Sequence, residues 1–416
     1  MAAPTVDLRA HLDENYPRIS KQLPSGVVSV LNLIWTGWKR LGWTRYILIA
    51  VLMWFVPVAM QADLVPYLSG GFGTSVLFLT GIWILLALGL SVVVGLAGLL
   101  DLGYVAFFML GAYTTALMTE SGAADQFHFA VWPTWAVLPV AMLVAMLAGA
   151  ALGIPTLRLR GDYLAIVTLG FHEIVRLTMN NLEITNGSRG IFGIPHPRVD
   201  IAGFDYEFGL DAGPYWQYLL IPGIIFAVIM IRNLDNSRVG RYWTAIREDE
   251  VAAAAMGVPV VKMKVLAFVI GASTSGVAGW IYAVKFNFIS PGNFPLLSSI
   301  LVLSAVVVGG LGNSAGATIG AILVVTLPEV VREASGDAPI FGFDVETGRI
   351  AIFGLLLVLV MIFRPGGLLA SKRRRTELHQ AGAADAVIVE DLIKPEEEKV
   401  STAGDTVESP AERGEG

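Results

Sequence analysis

Residues 76–100 read VLFLTGIWILLALGLSVVVGLAGLL, and no charged side chain interrupts them. A helix crosses the hydrocarbon core of a bilayer with about 20 consecutive apolar residues, so this stretch is long enough to span a membrane. Similar apolar runs occur at residues 51–59, 131–152, 218–231, 265–284, 300–327 and 350–363. Such runs cannot all be buried inside a soluble core. The sequence therefore predicts an all-α polytopic membrane protein.

The composition supports this fold class. Apolar residues make up 55% of the chain and charged residues 15%, whereas charged residues make up about 25% of an ordinary soluble domain. Backbone polar groups in lipid must pair within the protein, which favours helices. The chain contains no cysteine, so neither a disulfide framework nor a thiolate metal site can form.

The basic residues predict the topology, because Lys and Arg in short loops mark the cytoplasmic side of a membrane. They concentrate in alternate loops and after the last run, at Lys39, Arg40, Arg45, Arg158, Arg160, Arg232, Arg238, Arg241, Arg247, Lys262, Lys264, Arg364 and 372–375. This pattern predicts about ten transmembrane helices with both termini cytoplasmic. Two crossings then share residues 297–328, which are divided only by GGLGNS at 309–314, so some helices are predicted to be broken or short.

The chain divides by composition into three regions. Residues 1–44 form a cytoplasmic extension, in which three tryptophans beside basic residues predict an interfacial helix at 27–43. Residues 45–369 form the predicted transmembrane domain. Residues 370–416 form an acidic tail without hydrophobic periodicity, which predicts disorder. Acidic residues near the start argue against a cleaved signal peptide.

Glycine clusters interrupt two of the apolar runs. The first, GLAGLLDLG at 95–103, contains a carboxylate, and the second, at 309–314, contains an amide and a hydroxyl. Small residues let helices pack closely, whereas non-helical backbone at membrane depth is tolerated where it is buried in protein or lines a solute path. Both interpretations stay open for the candidate residues Gly98, Asp101, Gly103, Gly310, Gly312 and Asn313. Asp101 is equally suited to cap a helix.

Three ionisable residues, His172, Glu173 and Arg176, occur inside the apolar segment 163–179. Glu173 and Arg176 stand three residues apart, which predicts an ion pair on one helix face. The pair has two interpretations, a structural contact between helices or a place on the solute path. The sequence HEIVR differs from the zinc motif HExxH because Arg176 replaces the second histidine, which argues against a membrane metalloprotease.

A long basic segment at 232–264 is predicted to be a cytoplasmic loop; from residue 233 it reads NLDNSRVGRYWTAIREDEVAAAAMGVPVVKMK. Its centre predicts one helix from Trp243 to Met256, because Gly257 suits a helix end and Pro259 prevents continuation. An amphipathic helix outside a membrane domain serves no transport purpose alone, so a docking partner is expected.

This loop resembles the coupling loop of permease subunits in ABC importers, in particular the LivM-type subunit for branched-chain amino acids. The family pattern is Glu-Ala-Ala, three residues, then Gly; here Val251 replaces the glutamate, while both alanines and the glycine are kept. Further segments similar to the family start at residues 95, 157, 237 and 290, so the resemblance runs from about 77 to 369. The coupling residues it implies are Arg247, Glu248, Glu250, Ala252, Ala253 and Gly257.

The resemblance implies a permease subunit in a bacterial plasma membrane, the inner membrane where there are two. The expected partners are a second homologous permease, two cytoplasmic ATP-binding subunits, an extracytoplasmic substrate-binding protein and membrane lipid, with no nucleic acid. The chain has no GxxxxGK[ST] motif, so ATP is expected on the partner subunits, and no cofactor or enzymatic activity is expected of this chain.

Three alternatives remain beside a branched-chain amino-acid importer. A urea or short-amide ABC importer has a very similar permease. A stand-alone secondary transporter or channel would use Asp101, Glu173 or Arg176 for ion coupling. A membrane-embedded enzyme lacks a convincing nucleophile, metal cluster or carboxylate pair in this sequence.

Overall fold

The computed structural model describes residues 71–119, 131–156, 161–201, 204–209 and 216–335, with 354–355, 358, 362 and 367–369. The predicted interfacial helix, the first crossing and the acidic tail lie outside these residues, as does most of the last crossing.

The described part of the chain is mostly helical. Its helices are α1 Gly71–Leu90, α2 Val105–Met118, α3 Thr134–Thr156, α4 Asp162–Asn181, α5 Gln217–Asp235, α6 Arg238–Glu248, α7 Glu250–Ala255, α8 Val260–Phe286, α9 Leu296–Gly309 and α10 Ser314–Ser335. A π-helical turn, Ser91–Leu96, prolongs α1. The strands are β1 Ile191–Phe192, β2 Arg198–Ile201, β3 Phe204–Glu207 and β4 Phe288–Ile289; β1 pairs antiparallel with β4, and β2 with β3.

Five helices of the described residues are long and apolar enough to cross a membrane: Thr74–Leu96, Thr134–Pro155, Gln217–Asp235, Val260–Phe286 and Pro291–Gly309. Two shorter apolar helices are Val105–Met118 and Ser314–Glu329. A multi-pass membrane protein is therefore confirmed, while the count of ten crossings stays a prediction. The helix α4 is 20 residues long but less apolar, since Asp162, Glu173 and Arg176 lie in it.

The core forms around α8, which packs against α1, α2 and α3. Close approach is possible because small residues line these contacts, as in other membrane helices. A Cβ atom on Gly276 would lie 2.9 Å from the carbonyl oxygen of Ala141 in α3. Likewise, a Cβ atom on Gly320 would overlap the carbonyl oxygen of Ala305, which fixes α10 against α9.

Both predicted glycine breaks are confirmed. Regular α-helix ends at Leu90, the chain is irregular beyond Leu96, and α2 starts at Val105. The second break separates α9, which ends at Gly309, from α10, which begins at Ser314. Both breaks lie at the end of the bundle that carries α6 and α7, which we term the α7 end. The β1–β4 pair joins the segment that follows α4 to the segment that follows α8.

Candidate functional site

The helix α6 is anchored to the bundle by its buried face. Its first turn is capped by Ser237, whose hydroxyl oxygen accepts hydrogen bonds from the backbone N–H groups of Val239 and Gly240. The Trp243 side chain is fully buried, and its Nε1 donates to the carbonyl oxygen of Met263 at 2.8 Å. These contacts hold α6 against the start of α8.

The prediction of one helix from Trp243 to Met256 is wrong. Helix begins earlier, at Arg238, and is interrupted at Asp249, whose backbone is extended (φ −152°, ψ 113°). The Asp249 carboxylate accepts hydrogen bonds from the N–H groups of Val251 and Ala252 at 2.8 and 3.0 Å. Asp249 thus starts a new helix, because a short side chain with a hydrogen-bond acceptor at the N-cap position pairs with the first N–H groups of the helix.

The short helix α7 is tied to α8 by an ion pair. Lys264 Nζ lies 2.8 Å from Glu250 Oε1, and the lysine side chain is only 6% exposed. Glu250 therefore turns toward the bundle, whereas Glu248 lies on the exposed surface. The predicted helix end at Gly257 is confirmed, with φ +83° and a hydrogen bond from its N–H to the carbonyl oxygen of Ala254.

The opposite face of α7 is apolar and exposed. Met256 is 85% exposed, and Val251, Ala252, Ala254 and Ala255 are also exposed. Ala253 is buried, so of the two alanines predicted to belong to the coupling motif one contacts the bundle and the other is exposed. We define the α7 face as residues Val251, Ala252, Ala255 and Met256. An exposed apolar patch on a structured loop is typical of a protein-binding surface.

Arg247 connects this loop to the first glycine break. Its Nη1 donates a hydrogen bond to the carbonyl oxygen of Gly95 at 2.9 Å. Its aliphatic stem lies on Gly98, where a Cβ atom would be 2.7 Å from Arg247 Cγ. Gly98 has φ +71°, a conformation that side chains other than glycine rarely adopt. The break thus leaves room for the arginine.

The two glycine breaks contact each other. A Cβ atom on Gly95 would lie 2.7 Å from the backbone nitrogen of Gly312. Asn313 then caps α10, because its Oδ1 accepts from the N–H of Ala315 at 3.1 Å, and its Nδ2 donates to the carbonyl oxygen of Leu369 at 3.0 Å. Gly310 packs against the backbone of Gly367. The breaks therefore form one junction at the α7 end.

Asp101 is fully buried beside this junction and α4. Its Oδ1 accepts a hydrogen bond from the N–H of Gly103 at 2.8 Å, in the turn before α2, whereas the N-cap residue of α2, Tyr104, makes no side-chain cap. Asp101 therefore supports this turn rather than capping α2 itself. Leu102 donates its N–H to Thr168 Oγ1 at 2.9 Å, and Gly103 packs on the backbone of Thr168. Asp101 Oδ2 has no hydrogen-bond partner among the described residues. A role on a solute path stays a prediction.

The predicted pair of Glu173 and Arg176 is present on α4. Arg176 Nε donates to Glu173 Oε2 at 3.0 Å, and the side chains are 38% (Glu173) and 33% (Arg176) exposed. His172, on the adjacent side of the helix that packs on the bundle, is fully buried. A lone charge at the bilayer centre costs about 3 kcal/mol on insertion scales, which favours pairing. No cluster of three potential metal ligands occurs among the described residues.

Sequence reasoning missed two residues of the loop. The sequence places Lys264 only among the basic residues that mark the cytoplasmic side. No local periodicity indicates that Lys264 pairs with Glu250. Asp249 does carry a signal, since an aspartate directly before EVAAAA is a common helix start, but the surrounding helical composition concealed the interruption.

Long apolar helices, two glycine breaks in contact and a structured loop at one end define a multi-pass membrane protein. The family described as branched-chain amino acid transport system, permease component, matches residues 73–364. The chain belongs to this family. The predicted resemblance is confirmed.

Permease proteins named LivM and LivH are among the relatives similar to this chain. The permease protein LivM of the high-affinity branched-chain amino acid transport system of Escherichia coli is 38% identical over 374 residues, covering 83% of this chain and 83% of LivM. The LivM protein of Salmonella typhimurium is 38% identical over 338 residues, covering 76% and 75%. LivH of Escherichia coli is 23% identical over 292 residues, covering 68% and 90%. No solved structure matches the chain.

Proposed function

We propose that this chain is the membrane-spanning permease subunit of an ATP-driven importer for branched-chain or related amino acids. Family membership and the similarity to LivM support the class and the substrate. The structural observation that carries the proposal is the exposed apolar α7 face, held to the bundle by the pair of Glu250 and Lys264.

The proposed partners are a second homologous permease, two cytoplasmic ATP-binding subunits and an extracytoplasmic binding protein. Two different permease proteins of Escherichia coli, LivM and LivH, match this chain, which supports pairing between homologous subunits. The absence of a GxxxxGK[ST] motif from the sequence supports ATP binding on other subunits.

The proposed sidedness puts the α7 end in the cytoplasm. The α6–α7 loop carries Arg238, Arg241 and Arg247, and Lys262 follows it, so the rule that basic loops stay inside supports this orientation. An ATP-binding subunit would then meet the α7 face from the cytoplasm.

In the proposed mechanism, the α6–α7 loop transmits movement to the helices. An ATP-binding subunit binds the α7 face, and closure of the two ATP-binding subunits on each other displaces α7 together with α6. Because Arg247 is hydrogen-bonded to Gly95, and Gly95 contacts Gly312, this displacement moves both glycine breaks. ATP shifts the permease between two states only if the ATP-binding subunits interact differently with each of them.

The test is uptake of radiolabelled leucine into proteoliposomes that contain this chain. With the second permease, both ATP-binding subunits and the binding protein present, uptake should require ATP; vesicles with this chain alone should show none. ATP-independent uptake by this chain alone, driven by a sodium or proton gradient, would refute the proposal. Competition by urea or short amides, but not by valine or isoleucine, would contradict the substrate.

A further inference from the structure

The helix α4 has one face turned away from the described bundle. We term Ile166, Gly170, Glu173, Ile174 and Leu177 the α4 stripe. Ile174 is 65% exposed, Ile166 and Leu177 are exposed as well, and a Cβ atom on Gly170 would meet nothing within 4 Å in the described part of the chain. The other side of α4 packs on α2, α9 and α3 through residues such as Leu164, Thr168 and His172.

The outward face of α3 differs in chemistry from the α4 stripe. Leu143, Leu147 and Ile154 are exposed there, and α3 contains no charged residue. Such a face suits the acyl chains of lipid. The α4 stripe contains Glu173, with Arg176 beside it, and both side chains retain considerable exposure. The sequence predicts that α4 is one of the crossings, and ionised side chains within membrane-spanning segments face protein or a water-filled cavity.

Two apolar runs that lie wholly or largely outside the described residues do not suit the charges of the stripe. The apolar runs at 51–59 and 350–363 contain no charged or titratable side chain. Packing either run over Glu173 and Arg176 would remove water from the pair and supply no polar group in return. A partner that leaves water beside the pair fits better.

We infer that the α4 stripe is the surface that faces the second permease subunit and lines the amino-acid route between the two subunits. The inference rests on the proposed function, and the match of both LivM and LivH to this chain supports a homologous partner. The stripe also complements the solute. Its aliphatic residues suit a branched side chain, while Glu173 and Arg176 offer groups of opposite charge to the ammonium and carboxylate of a zwitterion.

Single cysteines test the inference directly, because the chain has none of its own. In the complete complex, Ile166→Cys and Ile174→Cys on α4 are compared with Leu147→Cys, which is equally exposed (62%) but lies on α3. A sulfonated, membrane-impermeant thiol reagent should modify both α4 positions several-fold faster than position 147. A second cysteine, at the aligned position of the partner permease, should form a cross-link with Ile174→Cys.

Equal labelling at positions 147, 166 and 174, without a cross-link to the partner permease, would overturn the inference. So would a cross-link between Ile174→Cys and a second cysteine introduced into another segment of its own chain. Both results are distinguishable from failure of the proposed function. If the complex with the unaltered chain takes up leucine with ATP but the cysteines at the α4 positions are not labelled, only the present inference fails.

A bulky side chain gives an independent test. Gly170→Trp meets open space in the described subunit, so it should insert and assemble like Leu147→Trp. Leucine uptake should fall more than tenfold for Gly170→Trp and stay near wild type for Leu147→Trp. Normal uptake by Gly170→Trp would contradict the inference. If Gly170→Trp fails to insert, the cysteine labelling decides the matter alone.

Discussion

Arg247 Nη1 donates a hydrogen bond to the carbonyl oxygen of Gly95 at 2.9 Å, and this contact joins the α6–α7 loop to the irregular end of α1. Gly95 lies in turn against the backbone of Gly312. One side chain therefore connects the loop that carries the exposed α7 face with both interrupted helices. The proposed transport cycle depends on this connection.

Replacing Arg247 should uncouple the complex. Arg247→Ala removes a hydrogen bond from a charged donor, worth about 1.5–3 kcal/mol, and we expect ATP-driven leucine uptake to fall by about tenfold or more. Binding of the ATP-binding subunits and their ATP hydrolysis should persist, since the α7 face is untouched. Arg247→Lys, which keeps the charge but not the guanidinium geometry, should recover part of the uptake. Parallel loss of hydrolysis and uptake would argue against a transmitting role.

The ion pair of Glu250 and Lys264 should stabilise the α6–α7 loop. Glu250→Ala leaves the buried lysine unpaired, and removal of one partner from such a pair destabilises by about 3 kcal/mol. The thermal unfolding temperature of the detergent-solubilised protein should drop, whereas Glu248→Ala, at an exposed position, should change it little. The double variant Glu250→Gln/Lys264→Met should recover most of the loss. An unchanged unfolding temperature in Glu250→Ala would show that the pair contributes nothing.

The cap at Asp249 should hold α7 in its helical form. Asp249→Ala removes the acceptor for two N–H groups, at a cost of about 1 kcal/mol, and Asp249→Asn should retain most of the effect. Hydrogen exchange at Val251 and Ala252 should be faster in the alanine variant than in the asparagine variant. Equal exchange in both would mean that the carboxylate does not start the helix.

Contact between the two breaks should not tolerate a side chain at Gly95. The Cβ atom of Gly95→Ala would lie 2.7 Å from the nitrogen of Gly312, so backbone must shift, and overpacking of this kind destabilises by about 1–3 kcal/mol. We expect lower leucine uptake. Gly223→Ala, in α5, is the matched control, since its Cβ would make only an ordinary contact, 3.9 Å from the Leu85 side chain, and alanine favours helix. Equal uptake by both variants would rule out a tight junction.

The features predicted correctly from sequence are those with a local signal. Glycines and a polar residue inside an apolar run marked both breaks, because such residues weaken a membrane helix. Glu173 and Arg176 were paired from their spacing on one helix turn, and Gly257 marked the end of α7 because glycine readily adopts positive φ.

The features that sequence reasoning missed depend on contacts between distant parts of the chain, or on opposing structural preferences of adjacent residues. Nothing near Gly95 in the sequence indicates that Gly312 will lie against it. Lys264 looks like an ordinary basic residue at the membrane edge, and only the fold brings it to Glu250. The continuous helix was predicted wrongly because helix-forming neighbours outweighed Asp249, whose side chain competes for backbone N–H groups.

The most direct test of the account is a cross-link from the α7 face. Met256→Cys places the only thiol of the chain at an 85% exposed position. In the complete complex, an ATP-binding subunit carries a single cysteine on the surface that faces the permease. A short bifunctional thiol reagent should join this cysteine to position 256, and leucine uptake should stop when the link forms. ATP-driven uptake at the normal rate, with position 256 never within cross-linking distance of an ATP-binding subunit, would contradict the account.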